Sequence, residues 1–109
     1  MALMNKRLTS TLEALKDRFQ PGAVKKATTY YLSLGEGAGE KWTITLSPTA
    51  CELVSGKTPN ADCVLKTSAD LFMKLVGGSW KPGAVDFLTG RIKTNDLDLL
   101  RNLQNAFGL

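Results

Sequence analysis

In Trp42-Thr43-Ile44-Thr45-Leu46-Ser47 every second residue is large and apolar, and the residues between them carry hydroxyls. That period of two belongs to a strand with one buried and one wet face, so one side of a sheet must be covered by something else. Neighbouring segments extend the pattern. Residues 28–34 set Tyr30, Leu32 and Leu34 against Thr29, Tyr31 and Ser33, and the short runs Cys51-Glu52-Leu53-Val54 and Cys63-Val64-Leu65 follow. Breaks fall at Gly35-Glu36-Gly37-Ala38-Gly39, Ser47-Pro48-Thr49 and Gly56-Lys57-Thr58-Pro59-Asn60. Connections this short favour antiparallel hairpins, so four successive strands predict a meander. The glycine-rich break leads into another strand and not a helix, which makes it a hairpin loop and not a phosphate cradle.

The covering layer comes from segments of a different period. Leu8, Leu12, Leu15 and Phe19 recur at spacings of four, three and four, predicting an amphipathic helix over residues 5–19 with Asn5 as its cap and Pro21-Gly22 as its end. Lys6, Arg7, Glu13, Lys16 and Asp17 fall largely elsewhere on it and give a basic outer side. Thr67-Ser68-Ala69-Asp70 has capping-box spacing ahead of Leu71-Phe72-Met73-Lys74-Leu75-Val76, and Gly77-Gly78 stops that helix. Pro82 suits the first turn of a short helix through Ala84, Val85, Phe87 and Leu88, with Gly90 as a left-handed stop. Arg91-Ile92-Lys93 predicts a last strand. Asn95 is the predicted cap of a final helix with Asp96 and Asp98 in its first turn and Leu99, Leu100, Leu103, Ala106 and Phe107 on its apolar side. Helix, strands, two helices, strand, helix is an α+β order, not a doubly wound parallel sheet, and 109 residues form one domain, 1–109.

Several functions are disfavoured by composition. Histidine is absent, which removes the commonest general base, the usual triad relay and the commonest zinc ligand. No serine lies in a G-x-S-x-G turn, and Asp96 and Asp98, two apart on a helix, point away from each other. No catalytic residue, metal or cofactor is expected, and the chain reads as a non-enzyme. Cys51 and Cys63 form no CxxC pair and read as reduced core thiols. The net charge of +4 comes from scattered Lys and Arg, which favours anionic surfaces in general. No helix carries a dense basic stripe, and Trp42, Trp80, Tyr30 and Tyr31 mostly alternate into buried faces, so nucleic acid is not an expected partner. No run of about 18 apolar residues is present. Charges at Lys6 and Arg7 stand where a signal peptide needs its apolar core.

Residues 72–109 hold three helices rich in Phe, Leu, Val and Trp beside one modest sheet. That supply of apolar surface is compatible with an internal cavity without requiring one. Trp80 sits in a Gly-Gly-Ser-Trp-Lys-Pro connection with more than ~150 Å² of ring to hide, as a core plug or as a pocket wall.

Ala61-Asp62-Cys63-Val64-Leu65, the Leu71 to Gly78 helix, Pro82 through Phe87, Gly90-Arg91-Ile92-Lys93 and the Asp96-Leu97 helix, in that order, resemble the sterol carrier protein type 2 (SCP2) family, and Trp42 matches a tryptophan that often opens its second strand. The resemblance spans nearly the whole chain and is strongest over residues 61–107. It departs by one residue in the spacing from Pro82 to Gly90 and again from Gly90 to Asp96, and Asn95 stands where the family has glycine. It implies an SCP2-like α+β fold: a five-stranded, mostly antiparallel sheet covered by helices that enclose an apolar cavity. It further implies non-enzymatic carriage of fatty acids, acyl-CoA, sterol-like ligands or phospholipids, without a cofactor. The alternative is an accessory protein that presents lipid or isoprenoid substrates to a lipid-metabolism enzyme. Carried over by position, the lipid-binding residues are Phe72, Leu75, Val76, Trp80, Val85, Phe87, Leu88, Leu100, Leu103 and Phe107, with Thr89 as a polar group at the mouth. The basic first helix is expected to touch anionic membrane transiently. The ending Phe107-Gly108-Leu109 is not the family's peroxisomal tripeptide, so a cytoplasmic location is expected.

Overall fold

A computed structural model describes residues 2–35 and 40–109, with side chains from residue 8 onward. The order is α1 (Ala2–Lys16), β1 (Thr28–Ser33), β2 (Lys41–Leu46), β3 (Cys51–Ser55), β4 (Cys63–Thr67), α2 (Ala69–Gly77), α3 (Ala84–Leu88), β5 (Ile92–Thr94) and α4 (Leu97–Phe107). The five strands form one sheet in the order β3-β2-β1-β4-β5.

The first three strands are the expected meander, with Ile44 opposite Tyr30 on one side and Leu53 on the other. The fourth departs from it. β4 pairs with the far edge of β1 and runs parallel to it, Cys63 beside Tyr30 and Leu65 beside Leu32, instead of pairing with β3. β3 and β4 are three strand spacings apart, about 14 Å, and the connection 56–62 can extend over ~23 Å. It passes over the open face of the sheet, where Lys57 Nζ stands 6.0 Å from the centre of the Tyr31 ring. Asp62 then locks the landing: its amide donates to the Thr29 carbonyl (2.8 Å) and its carboxylate accepts from the Thr29 amide (2.9 Å). Loop length alone therefore misjudges the partner. The sheet is mixed, with β5 closing the other edge antiparallel to β4.

The sheet has one covered face, as the alternation requires. Tyr30, Leu32, Ile44, Leu46, Cys63, Leu65 and Ile92 meet Leu8, Leu12 and Leu15 of α1, Phe72 of α2 and Leu100, Leu103, Ala106 and Phe107 of α4 in a single core. α1 is regular from Ala2, three residues before Asn5, so Asn5 lies within the helix instead of capping it. It ends at Lys16, earlier than Pro21-Gly22, and the chain continues in turns that bring Phe19 to a 6.1 Å tilted contact with the Phe107 ring. Arg18 joins three helices here, donating to the Val76 carbonyl at the end of α2 (2.7 Å) and the Gly108 carbonyl after α4 (3.1 Å). A guanidinium suits helix C-termini because those carbonyls lack partners and carry negative potential. The side chains of Lys6 and Arg7 and the glycine-rich connection 36–39 lie outside the described residues.

Two caps shift by one residue from expectation. Ser68, not Thr67, accepts from the Leu71 amide (3.1 Å), because the Thr67 hydroxyl donates across the sheet to the Arg91 carbonyl (2.8 Å). Asp96, not Asn95, accepts from the Leu99 amide (3.0 Å), while Asn95 Oδ1 takes the Val64 amide at the sheet edge (2.8 Å). In both cases the residue nearer the strand is drawn into strand-to-strand bonding. Gly78 ends α2 at φ +81, as its left-handed stop requires.

Candidate functional site

The short helix α3 buries none of its residues. Polar links hold it: the Asp86 carboxylate accepts from the Gly83 amide (2.8 Å) and lies 3.6 Å from the Arg91 guanidinium, and the Arg91 amide donates to the Asp86 carbonyl (3.0 Å). Phe87 packs half-buried against the core, but the helix's other large apolar side chains do not. Val85 is 68% exposed and Leu88 85%. Facing Phe87 and Leu88 across a gap is the first half of α4, where Leu97 is 50% exposed.

Between these helices lies a half-open groove of about 530 Å³ lined by Pro82, Gly83, Ala84, Phe87, Leu88, Leu97, Leu100, Arg101 and Gln104. Its walls are mainly apolar. The volume falls within the ~300–1,000 Å³ typical of small-molecule sites. The floor is anchored, because Leu100 is buried and the start of α4 is tied to the sheet. The Tyr30 phenol, fully buried, donates to the Leu99 carbonyl at 2.7 Å. Cys63 Sγ lies 3.3 Å from the Thr94 hydroxyl, next to Asp96. Burial, with smaller contributions from Cys63, Asp96 and Asp62, lifts the Tyr30 phenol far above its usual range. Burial likewise raises the Cys63 thiol, only partly offset by the Thr94 hydrogen bond, and raises Cys51, offset in part by Lys16. Both cysteines are unpaired thiols, and neither is poised as a nucleophile.

The residues carried over from the family resemblance separate into three groups. Phe87, Leu88 and Leu100 line the groove. Phe72, Leu75, Leu103 and Phe107 are buried in the core, and Val76 and Trp80 are half-buried against it. Val85 and Thr89 lie on the exposed outer side of α3, where the Thr89 hydroxyl turns back to the Val85 carbonyl (2.8 Å). Leu97, Arg101 and Gln104 were not among the expected lining residues. Their signal was a second stripe on α4, at 97, 100–101 and 104, beside the stripe of core residues. No cluster of metal-ligating side chains occurs among the described residues. No helix among them is long and apolar enough to cross a membrane.

A helical layer over one face of a five-stranded mixed sheet, parted by an apolar groove beside its shortest helix, defines a small α+β domain. The chain belongs to the SCP-2 sterol transfer family, whose model matches residues 6–108. Among solved structures, it is similar to palmitated SCP2L2 from Aedes aegypti at 17% identity and TM-score 0.63, covering 89% of this chain and 90% of that one. It is similar to the ubiquinone synthesis protein UbiJ-SCP2 at 15% identity and TM-score 0.55, covering 98% and 88%. The sec-alkylsulfatase Pisa1 from Pseudomonas sp. matches at 20% identity and TM-score 0.67, covering 87% of this chain but only 15% of that enzyme. Comparison with curated proteins by sequence yields no match.

Proposed function

We propose that this domain binds a single lipid tail in the α3–α4 groove and carries it without chemical change. The observation that supports this most directly is the groove itself: about 530 Å³ flanked by Leu88 and Leu97, which the core does not use. Each methylene that leaves water contributes about 0.8 kcal/mol, so a tail of ~16 carbons can offset the several kcal/mol lost in immobilising it. Affinity should then rise with chain length until the groove is filled. Membership of the sterol transfer family agrees with this reading, and Aedes aegypti SCP2L2, similar in fold, is described as palmitated.

The test is native mass spectrometry of the freshly purified chain, followed by displacement of a fluorescent fatty acid. The expected result is co-purified lipid and saturable displacement, with Leu88→Gln and Phe87→Ala each weakening affinity about ten-fold as apolar area is lost. An empty chain that also fails to bind the probe saturably would overturn the reading.

A second reading is delivery of the lipid to a partner enzyme. It is supported by the match to a part of the alkylsulfatase and to UbiJ-SCP2. Val85, exposed on the outer side of α3 and not part of the groove lining, is the residue that such a partner would cover.

A further inference from the structure

On the uncovered face of the sheet, strand register places three lysines in one row. Ser33 pairs with Lys41 on β2 and with Lys66 on β4, and Lys66 pairs with Lys93 on β5. Lys66 and Lys93 thus stand directly opposite each other in an antiparallel pair, where like charges oppose folding. Neither has an ion-pair partner among the described residues. The row borders a hollow of about 480 Å³ whose walls include Lys41, Lys66, Arg91 and Lys93, with Ser33 at its floor and Thr67 and Ser68 at its side. Ser33 is buried, and its hydroxyl accepts from Lys41 Nζ at 2.8 Å. Lys41 Nζ also donates to the Gly35 carbonyl. Lys93 lays its stem across Gly90: a Cβ added there would come within 3.2 Å of Lys93 Cε.

Among the described residues, carboxylates offset part of this charge at the edges of the hollow but none pairs with Lys66 or Lys93. Asp86 faces Arg91 from α3 at 3.6 Å, Asp70 pairs with Lys74 at 3.5 Å, and Glu40 lies against Gly35. A cleft lined by one sign of charge concentrates counter-ions of the other sign. Ammonium groups bordering one hollow suit a compact, multiply charged oxyanion.

We infer that this hollow binds a phosphate or diphosphate group, held by Lys66 and Lys93 with Lys41 and Arg91 at its sides. The site lies on the open face of the sheet, is built from other residues than the α3–α4 groove, and does not depend on lipid carriage. A bound anion converts the repulsion between the opposed lysines into shared attraction.

The test titrates inorganic pyrophosphate into the full chain at low ionic strength, read by amide chemical shifts and calorimetry, against a sodium chloride control. Saturable shifts are expected at Lys66, Thr67, Ser68 and Arg91. Lys66→Gln and Lys93→Gln should each weaken binding about ten-fold, the loss of one charged hydrogen-bond partner. Lys25→Gln, which alters net charge equally but lines no part of the hollow, should leave it unchanged. Both hollow variants should unfold at a temperature no lower than the parent in anion-free buffer, because each removes the repulsion. Sedimentation with phosphatidylcholine vesicles containing phosphatidic acid separates the sources. Binding that pyrophosphate competes away and Lys66→Gln abolishes identifies a lipid headgroup, whereas pyrophosphate binding without vesicle binding identifies a free phosphorylated molecule. Non-saturable shifts, equal weakening by Lys25→Gln, or binding of RNA without pyrophosphate would each overturn the inference.

Discussion

The two ends of the helical layer use the same kinds of residue to opposite effect. In the second half of α4, Leu103, Ala106 and Phe107 are buried against α1 and the sheet, where the space left among Leu12, Leu15, Ile44, Leu53 and Phe107 is only about 10 Å³. In α3, Val85 and Leu88 stand in solvent beside a hollow some fifty times larger. Hydrophobicity does not separate the two regions, because leucine occurs in both. The difference lies in what faces each helix. Gln20 donates to the Ala106 carbonyl (2.7 Å) and Arg18 to that of Gly108, drawing the end of α4 onto the end of α1. α3 is anchored by Asp86, Arg91 and its own turn and by the half-buried Phe87 ring against the core, which fix its position while leaving Val85 and Leu88 uncovered. Apolar surface held in place but not covered is what the proposed carriage of a lipid tail requires.

This contrast can be broken most forcefully on the closed side. Phe72→Ala removes a ring that is 1% exposed, and should cost about 3–5 kcal/mol of stability, measured by urea unfolding; a loss below ~1 kcal/mol would mean that the core is not closed there. Tyr30→Phe should cost about 1 kcal/mol by removing the hydrogen bond that ties the start of α4 to the sheet. The same residue sharpens the comparison through pH. Tyr30 and Cys63 titrate higher folded than unfolded, so their contribution is complete below the unfolded values of ~8.5 for thiol and ~10 for phenol and declines as pH rises through and beyond them. The thermal midpoint should therefore fall between pH 8 and pH 11, and less steeply above pH 10 in Tyr30→Phe. The smallest effect belongs to the open side. Val85→Gln should change stability by no more than about 0.5 kcal/mol, as at ordinary surface positions; a larger loss would show that α3 closes onto the body of the protein in solution.

Much of the architecture was readable from local pattern. The alternation in Trp42-Thr43-Ile44-Thr45-Leu46 predicts β2 and its buried face, and Leu8, Leu12 and Leu15 become the core side of α1. Gly78 and Gly90 take the positive φ that their positions as stops require. Caps were legible only to within a residue, since Thr67 and Asn95 have side chains able to cap but are claimed by neighbouring strands. The groove was legible in part: of the residues expected to bind lipid, Phe87, Leu88 and Leu100 line it, whereas Leu103 and Phe107 lie in the core, because an apolar stripe does not record which surface it will meet.

By itself, then, the order of the amino acids determined where helices and strands form, which side of each is apolar, and that one sheet face needs cover, because periodicity and capping act over a few residues. Only the tertiary structure decided that β4 lies beside β1, that α3 stands away from the core, and that Lys41, Lys66 and Lys93 share one row. Those outcomes depend on which distant segment supplies the facing surface, and a segment carries no local record of its partner.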